Sequence, residues 1–242
     1  MPVSKGSFVL VNYVCKVKET GEIVDSTTGE GHSHEEEHIH EPLLVVVGEG
    51  WIPRGLDEAL EGAEVGKKFE VEVPPDKGFG ERDQSKVRLL PLRRFTREGV
   101  NPVPGMQVQV NGRPAIVRSV GAGRVQVDFN HPLAGKTLLY EVTVEKILRT
   151  RAEKVKALIH RRLPSIELEK IGLKVTPREV TIELPEESFF IEGLQLAKRQ
   201  IASEIQKYIS GIAGVSFIER FKGAEESSEP SRKQGSTPQG NG

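Results

Sequence analysis

The chain has 242 residues, of which 36 % are hydrophobic and 29 % are charged, an ordinary composition for a globular protein of one to three domains. Its 34 Lys and Arg residues against 35 Asp and Glu residues give a formal net charge of −1, which does not favour nucleic acid or an anionic membrane as partner, and no stretch approaches the ~18 consecutive apolar residues of a spanning helix. A single cysteine, Cys15, excludes an intramolecular disulfide, and the first residues lack the long apolar core and cleavage site of a signal peptide, so we expect a cytoplasmic protein.

The first part of the chain predicts strands around one short helix. Apolar residues recur at every second position from Phe8 to Val17, which is the period of a half-buried strand. Residues 42–47 form a short β-branched run that predicts a second strand. Residues 54–61 predict a short helix ended by Gly62, and residues 67–73 alternate again and predict a third strand before two prolines.

The middle of the chain has a different residue pattern. Residues 84–128 contain several prolines and three short strand-like runs, at 106–110, 115–120 and 124–129, which predict a small β-rich unit. Residues 137–148 then alternate strictly and predict one last strand that returns to the first unit.

The C-terminal part predicts a compact α+β unit followed by a tail. A helix is expected from residue 149 to Pro164, a strand around Ile182, a longer helix from about Ser188 to Ile212, and a closing strand at 215–221. From Gly223 onward, Gly, Ser, Pro, Gln and Glu dominate, so we expect the tail to be disordered.

Four motifs carry a family resemblance. Residues 47–62 read VGEGWIPRGLDEALEG and are followed by VGKKF at 65–69 and PDKGFG at 75–80. This pattern resembles the central signature of the FKBP-type peptidyl-prolyl cis/trans isomerases. NHPLAGKTL at 130–138 is similar to the SlyD-like branch, in which an insert-in-flap domain interrupts the flap. Residues 150–222 are similar to the C-terminal extension of long archaeal FKBP-type proteins.

The resemblance implies an α+β fold with an antiparallel FKBP-type sheet around a short helix, an inserted small β-rich domain and a C-terminal α+β domain. The implied divisions are an isomerase domain at 1–83 and 129–149, an insert-in-flap chaperone domain at 84–128, a C-terminal domain at 150–222 and a disordered tail at 223–242. In the long relatives the extension is implicated in dimer formation, so a homodimer through this domain is one expectation.

The resemblance also implies a proline-binding pocket. By position in the family motif, it is lined by Tyr13, Asp25, Leu43, Val45, Trp51, Ile52, Leu56, Phe79 and Tyr140. Tyr13 and Asp25 would supply polar edges, although alone each tyrosine would be taken as a core residue and Asp25 as a turn cap. Leu43, Leu56 and Phe79 depart from single-domain members, which commonly have aromatic residues or a hydroxyl there. Rotation about a prolyl bond breaks no bond, so no cofactor is required.

The insert contains apolar residues among its prolines, some of which we expect to be exposed and to bind unfolded chains. The candidates are Leu89, Leu90, Leu92, Phe95, Val103 and Met106. The alternative is that they form the core of a small β domain. The arginines nearby, Arg88, Arg93, Arg94 and Arg97, are interpreted as solubilising that surface, and nucleic acid is not an expected partner.

Four histidines fall within nine residues and are separated in part by three glutamates. They are His32, His34, His38 and His40, and their imidazoles suit a divalent metal such as Zn or Ni. Metal-binding SlyD-like proteins typically carry their histidines in a C-terminal tail, which has none here. The alternative is a solvated loop with no specific role.

The sequence therefore predicts a peptidyl-prolyl isomerase that acts on X-Pro segments of folding proteins, with chaperone binding by the insert. Two alternatives stay open. One is a non-catalytic holdase with a slow pocket, and the other is a metal-delivery protein that uses the histidine segment.

Overall fold

The computed structural model describes residues 2–29 and 41–221, and these divide between Ala157 and Leu158 into two compact units. The strands are β1 Phe8–Val17, β2 Ile23–Ser26, β3 Leu43–Val46, β4 Lys68–Val73, β5 Val87–Pro91, β6 Gln107–Val110, β7 Arg113–Gly121, β8 Arg124–Asp128, β9 Leu138–Leu148, β10 Gly172–Val175, β11 Glu179–Leu184 and β12 Gly214–Glu219. The α-helices are α1 Arg54–Leu60, α2 Leu92–Arg97, α3 Arg151–Arg162 and α4 Leu194–Tyr208. The predicted α+β class is confirmed. None of the helices in the described residues is both long and apolar enough to cross a membrane.

The first unit is built on a five-stranded antiparallel sheet, here called the central sheet, of β1, β2, β3, β4 and β9. The ten residues of β1 are enough to pair with two short strands on one edge, β3 along Phe8–Val11 and β2 along Val14–Lys16. Its other edge pairs along its whole length with β9, which pairs in turn with β4. The order along the path is β2, β1, β9, β4.

Helix α1 is part of the core that the central sheet builds. Leu56 and Leu60 lie four residues apart on one face of the helix, and both are fully buried among the inward side chains of β1, β3, β4 and β9. Gly55 allows a close approach to β4, because a Cβ there would lie 3.0 Å from Cγ1 of Val73. The sequence of this helix therefore fixes its distance from the sheet.

Residues 87–128 form a second antiparallel sheet, the inserted sheet, in the order β5, β8, β7, β6. Two hairpins close it with left-handed residues, Asn111-Gly112 between β6 and β7 and Ala122-Gly123 between β7 and β8. One face packs on Phe95 of α2, which is only 2 % exposed. The core of this small sheet contains that phenyl ring and a set of valines.

The second unit contains the C-terminal sheet, in the order β10, β11, β12. Strands β10 and β11 are antiparallel, whereas β12 is parallel to β11 and is reached through α4. A parallel return needs such a crossover, and α4 buries Ile201 and Ile205 on one face.

Several boundaries differ from those expected. Strands β2, β5 and β10 and helix α2 were not predicted, and the long helix begins at Leu194, after a short 3₁₀ turn at Glu186–Phe190. Gly193 has a φ of 76°, which no regular helix contains, so α4 starts only after it. The predicted disordered tail lies outside the described residues, and the predicted domain boundaries stay predictions.

Candidate active site

The strongest polar contact among the predicted pocket residues joins Tyr13 of β1 to Asp25 of β2. The Tyr13 hydroxyl donates a hydrogen bond of 2.7 Å to Oδ2 of Asp25. The two strands are antiparallel neighbours, with Cys15 directly opposite Asp25, so the pairing register brings the phenol within reach of the carboxylate. Asp25 therefore lies in a strand rather than in the turn that the sequence alone suggested.

Thr27, which the sequence analysis did not single out, holds this pair in place. Its backbone N–H donates to the Tyr13 carbonyl over 3.0 Å, and its hydroxyl accepts from the Tyr13 N–H over 2.9 Å. The same hydroxyl lies 3.1 Å from Oδ1 of Asn12, to which it donates. These bonds continue the β1–β2 pairing just past the end of β2 and fix the backbone of Tyr13.

Tyr140 of β9 lies on the other side of Tyr13. Their ring centroids are 5.8 Å apart and the rings are tilted by 59°, a favourable geometry for an aromatic pair. Tyr140 is 4 % exposed and is the cross-strand partner of Cys15. Cys15 thus lies between Asp25 and Tyr140 in the sheet register.

The titration of these groups explains what they are able to do near neutral pH. Burial raises the pKa of Tyr13, and the hydrogen bond to Asp25 raises it further. Burial also raises the pKa of Tyr140, and its bond with Cys15 adds to the rise. Burial raises the pKa of the Cys15 thiol to about 11, against the opposing effect of Tyr140. The three side chains are therefore neutral at pH 7 and offer hydrogen bonds rather than proton transfer or nucleophilic attack.

The apolar members of the predicted pocket share one cluster with the tyrosines. Val45 and Leu56 are each 1 % exposed and lie inside it. Leu43, Ile52 and Phe79 are partly buried and pack against it from its edge. Trp51 is also partly buried. The partly buried residues keep surface that a ligand could contact, whereas Val45 and Leu56 have almost none and belong to the core of the cluster.

Asp57 fixes the loop that carries Trp51 and Ile52. Its carboxylate accepts from the backbone N–H of Gly48 over 2.8 Å and from that of Gly50 over 3.1 Å, and the residue is 7 % exposed. Both glycines have positive φ, 82° and 69°, which only glycine adopts without strain. These two glycines therefore serve the backbone geometry of the loop. Asp57 itself was missed, although an acid in the first turn of a helix after two glycines is a usable signal.

Phe79 stacks on His131, with ring centroids 4.3 Å apart and planes within 4° of parallel. The Leu133 N–H donates to Nδ1 of His131 over 3.2 Å, which fixes the orientation of that ring. Phe79 precedes the inserted sheet in the chain and His131 follows it. The stack therefore joins the two segments that lead into and out of that sheet at the edge of the pocket cluster.

The predicted client-binding residues divide into two groups. Leu89 is 59 % exposed, Val103 52 % and Met106 37 %, so these three are available at the surface of the inserted sheet. Leu90 and Leu92 are partly buried against the core of that sheet. Phe95 is a correction, because α2 folds its ring into the core, where it has no surface to offer a client.

The histidines proposed as metal ligands, His32, His34, His38 and His40, lie outside the described residues, so a Zn or Ni site there stays a prediction. In the described ranges no group of three or more His, Cys, Asp and Glu side chains is placed to hold a metal ion.

Comparisons with known proteins give a consistent result. A family model described as the FKBP26 IF domain matches residues 88–133, and one described as FKBP26 C-terminal matches residues 151–222. A short-type peptidyl-prolyl cis-trans isomerase of Methanocaldococcus jannaschii is 33 % identical over 155 residues, which cover 62 % of this chain and 98 % of the relative. The isomerase SlyD of Aeromonas hydrophila is 31 % identical over 157 residues, 64 % of this chain and 69 % of the relative. An FKBP-type 16 kDa isomerase of Escherichia coli K12 is 28 % identical over 149 residues, 60 % of this chain and 93 % of the relative.

Proposed function

The chain belongs to the FKBP-type peptidyl-prolyl cis-trans isomerases, and we propose that it rotates X-Pro bonds at the cluster around Tyr13, Asp25 and Tyr140 while the inserted sheet holds the non-native client. The isomerase activity and its protein or peptide substrates follow from the family. The pocket residues and the chaperone role are the parts proposed here.

The observation that carries the pocket is the neutral hydroxyl of Tyr13 at the edge of an apolar cluster that also contains the buried Tyr140. Rotation of an X-Pro bond meets a barrier of ~18–20 kcal/mol, because the amide loses its conjugation in the twisted state. The twisted amide is less dipolar than the planar one, so apolar walls such as Ile52 and Phe79 favour it relative to water. The Tyr13 hydroxyl, held by Asp25, gives the bound segment a fixed polar edge.

The test is isomerisation of a short Xaa-Pro peptide followed by NMR exchange, with Tyr13→Phe and Asp25→Ala. Each variant removes one hydrogen bond, so kcat/KM should fall about two- to tenfold. Tyr208→Phe is the matched control, since Tyr208 lies in the other compact unit. Equal activity of all three variants and the wild type would place the polar edge elsewhere.

The chaperone role is supported by the exposed apolar side chains of Leu89, Val103 and Met106 in the insert. Surface of this kind binds unfolded chain, and methionine adapts to varied ligands. Replacing all three by serine should leave the peptide activity intact but slow proline-limited refolding of a whole protein. Val65→Ser, at a residue that is 48 % exposed outside the insert, is the control. Refolding that stays as fast as in the wild type would favour an isomerase without capture.

A homodimer through the second unit is also proposed. This unit exposes Phe190 by 87 %, Phe221 by 73 % and Leu196 by 60 %, which is unusual for large apolar side chains. Within residues 2–29 and 41–221, strand β12 has one unpaired edge in the three-stranded sheet, which a second copy would cover. Sedimentation equilibrium should show a dimer that Phe190→Ser with Leu196→Ser weakens, whereas a monomer at all concentrations would refute the dimer.

A further inference from the structure

The charges of this chain are segregated by region although they nearly cancel overall. Residues 84–128 contain eight Lys and Arg against two Asp and Glu, a net charge of +6. Residues 1–83 with 129–149 contain eleven Lys and Arg against twenty Asp and Glu, a net of −9. The insert is therefore strongly basic, while the sequence that surrounds it is acidic.

The acids within the insert do not neutralise this charge at the surface. Asp128 is 1 % exposed and accepts hydrogen bonds from Arg82 over 2.6 Å and from Nε of Arg118 over 3.0 Å, so it is fully engaged inside. Glu98 is left as the only exposed acid of residues 84–128. In the described part of the chain no carboxylate forms an ion pair with Arg93, Arg97 or Arg124.

These three arginines lie at one end of the inserted sheet. Arg93 and Arg97 are four residues apart on α2 and share a face of that helix. Strand β8 places Arg124 directly opposite Pro91, and the first residue of α2, Leu92, donates to the carbonyl of Gly123 over 2.9 Å. The start of α2 and the start of β8 are thus tied together.

An exposed apolar side chain accompanies these cations. Leu89 precedes Pro91 by two residues on the same strand and is 59 % exposed. Because Arg124 is paired with Pro91, Leu89 and Arg124 lie on the same face of the sheet. This end of the insert therefore offers both guanidinium groups and an apolar contact, and it is here called the arginine end of the insert and defined by Leu89, Arg93, Arg97 and Arg124.

The chemistry of this surface fits one class of partner. Arginine forks bind carboxylates with two parallel hydrogen bonds, and the neighbouring apolar groups suit the aliphatic side chains of a polypeptide. Single-stranded nucleic acid is bound mainly by bases stacked on exposed aromatic rings. Phe95 is the only aromatic residue in 84–128 and is buried, and the adjoining Phe129 is covered by Arg88 and Arg113 at 6.0 and 5.3 Å from its centroid.

We propose that the arginine end of the insert selects unfolded client segments in which Asp or Glu residues stand among apolar ones. This inference rests on the proposed capture role of the insert and names the client class. Acidic clients would be drawn to the insert and repelled by the acidic surroundings of the pocket, so the insert would hold a client segment that the pocket region alone does not attract.

The test uses the full chain and three labelled peptides of equal length, followed by fluorescence anisotropy. One peptide is acidic and apolar, the second has Asn and Gln in place of Asp and Glu, and the third carries Lys instead. The variant combines Arg93→Gln, Arg97→Gln and Arg124→Gln. A charge-matched control combines Lys174→Gln, Arg178→Gln and Arg199→Gln, all exposed and in the second unit.

The wild type should bind the acidic peptide at least about tenfold more tightly than the neutral one, and added salt should reduce the difference. The insert variant should lose that preference and the control variant should keep it. Equal binding of the acidic and neutral peptides would overturn the proposed preference for acidic clients, although the insert could still capture unfolded chains. If none of the peptides binds, the capture role fails and the inference with it. An RNA oligonucleotide bound more tightly than the acidic peptide, with the same arginine dependence, would overturn the polypeptide assignment.

Discussion

The central sheet and the inserted sheet are both antiparallel, but they differ in how far their polar groups are paired and their apolar side chains are buried. In the central sheet the Tyr13 hydroxyl donates to Asp25, the rings of Tyr13 and Tyr140 pack together, and Glu141 pairs with Lys16 and Lys68. In the inserted sheet large apolar side chains such as Leu89 are exposed, and several arginines have no carboxylate partner in the described residues. The central sheet satisfies these groups internally, and the inserted sheet leaves them exposed to solvent.

The difference matches what the two proposed tasks would need. Rotation of a bond is favoured by a pocket whose walls and hydroxyls are already fixed, because any reorganisation would add to the barrier. Capture of varied chains is favoured by groups that have not yet made their contacts. The two sheets meet at residues 80–86 and 129–135, where Asn130 exchanges two hydrogen bonds with the backbone of Asp83, 3.0 and 2.8 Å long.

The largest expected effect tests whether the inserted sheet depends on its own small core. Phe95→Ala removes a ring that is 2 % exposed and should cost about 3–5 kcal/mol of the stability of the inserted sheet. Leu89→Ala, on the same sheet but 59 % exposed, should change stability by no more than about 0.5 kcal/mol.

The measurement is urea unfolding followed by NMR signals of residues 87–128, together with peptide isomerisation. The insert signals of Phe95→Ala should be lost first while isomerisation persists. Loss of peptide activity in step with those signals would show that the two sheets unfold as one. The inserted sheet would then not depend on a core of its own.

The second effect concerns the buried carboxylate near the joint. Burial raises the pKa of Asp128, but the bonds from Asn130 and Arg118 and the charge of Arg82 outweigh it and hold the pKa below its usual value. Asp128→Asn leaves Arg82 and Arg118 without that charge and should cost about 1–3 kcal/mol. Both arginine side chains are about two-fifths exposed, 42 % and 39 %, so water reduces the loss below that of a fully buried pair.

The pH dependence of that loss has a definite sign. A carboxyl group with a depressed pKa in the folded state stabilises above its unfolded pKa of about 3.9 and ceases to do so as the pH falls through the folded value. The difference in stability between the wild type and Asp128→Asn, measured by thermal unfolding, should therefore have its full size at pH 6 and should decrease below about pH 4. Asp76→Asn, at a side chain that is 61 % exposed, is the control and should show little difference. A difference in stability that stays the same at low pH would mean that Asp128→Asn disturbs packing rather than removing a stabilising charge.

Periodicity was enough to predict the long elements of the central sheet. Strands β1, β4 and β9 and helix α1 alternate or repeat over six or more residues, and their observed bounds lie within a residue or two of those expected. Strand β2 has four residues, Ile23-Val24-Asp25-Ser26, which show no alternation. It is a strand because β1 offers it a free edge, and this is information that local sequence does not contain.

The insert was harder to predict for a similar reason. Helix α2 has six residues, three of them arginine, and its only buried side chain is Phe95. A helix this short has no periodic apolar face that a sequence pattern could reveal. The ring of Phe95 is buried only because the helix docks on the sheet. Phe95 was therefore expected at the surface with Leu89, although the structure separates them completely.

The pocket shows the same division between motif and geometry. The motif named Tyr13, Asp25 and Tyr140, and the strand register explains why these three lie together. It did not name Thr27 or Asp57, which hold the backbone of Tyr13 and the loop before Trp51. Both act through bonds to the main chain. The bonds of Thr27 depend on where the chain returns rather than on a side-chain pattern, whereas Asp57 could have been found as an acid in the first turn of a helix after two glycines.

The smallest expected effect compares a paired charge with an unpaired one. The hydrogen bonds from Lys16 and Lys68 lower the pKa of Glu141 to about 2, and its side chain is 18 % exposed. Its contribution is therefore present above the unfolded pKa of about 4.3 and is lost as the pH falls towards about 2. Glu141→Gln should lower the Tm slightly at pH 7, and the difference in Tm from the wild type should vanish as the pH approaches about 2.

Arg97→Gln is the counterpart in the inserted sheet. Because Arg97 forms no ion pair in the described residues, its loss should leave the Tm unchanged across the same pH range, while binding of acidic peptide weakens. Differential scanning calorimetry at several pH values compares the two variants directly. A Tm that falls with Arg97→Gln as much as with Glu141→Gln would mean that this arginine stabilises the fold, and its charge would then not be free for a ligand.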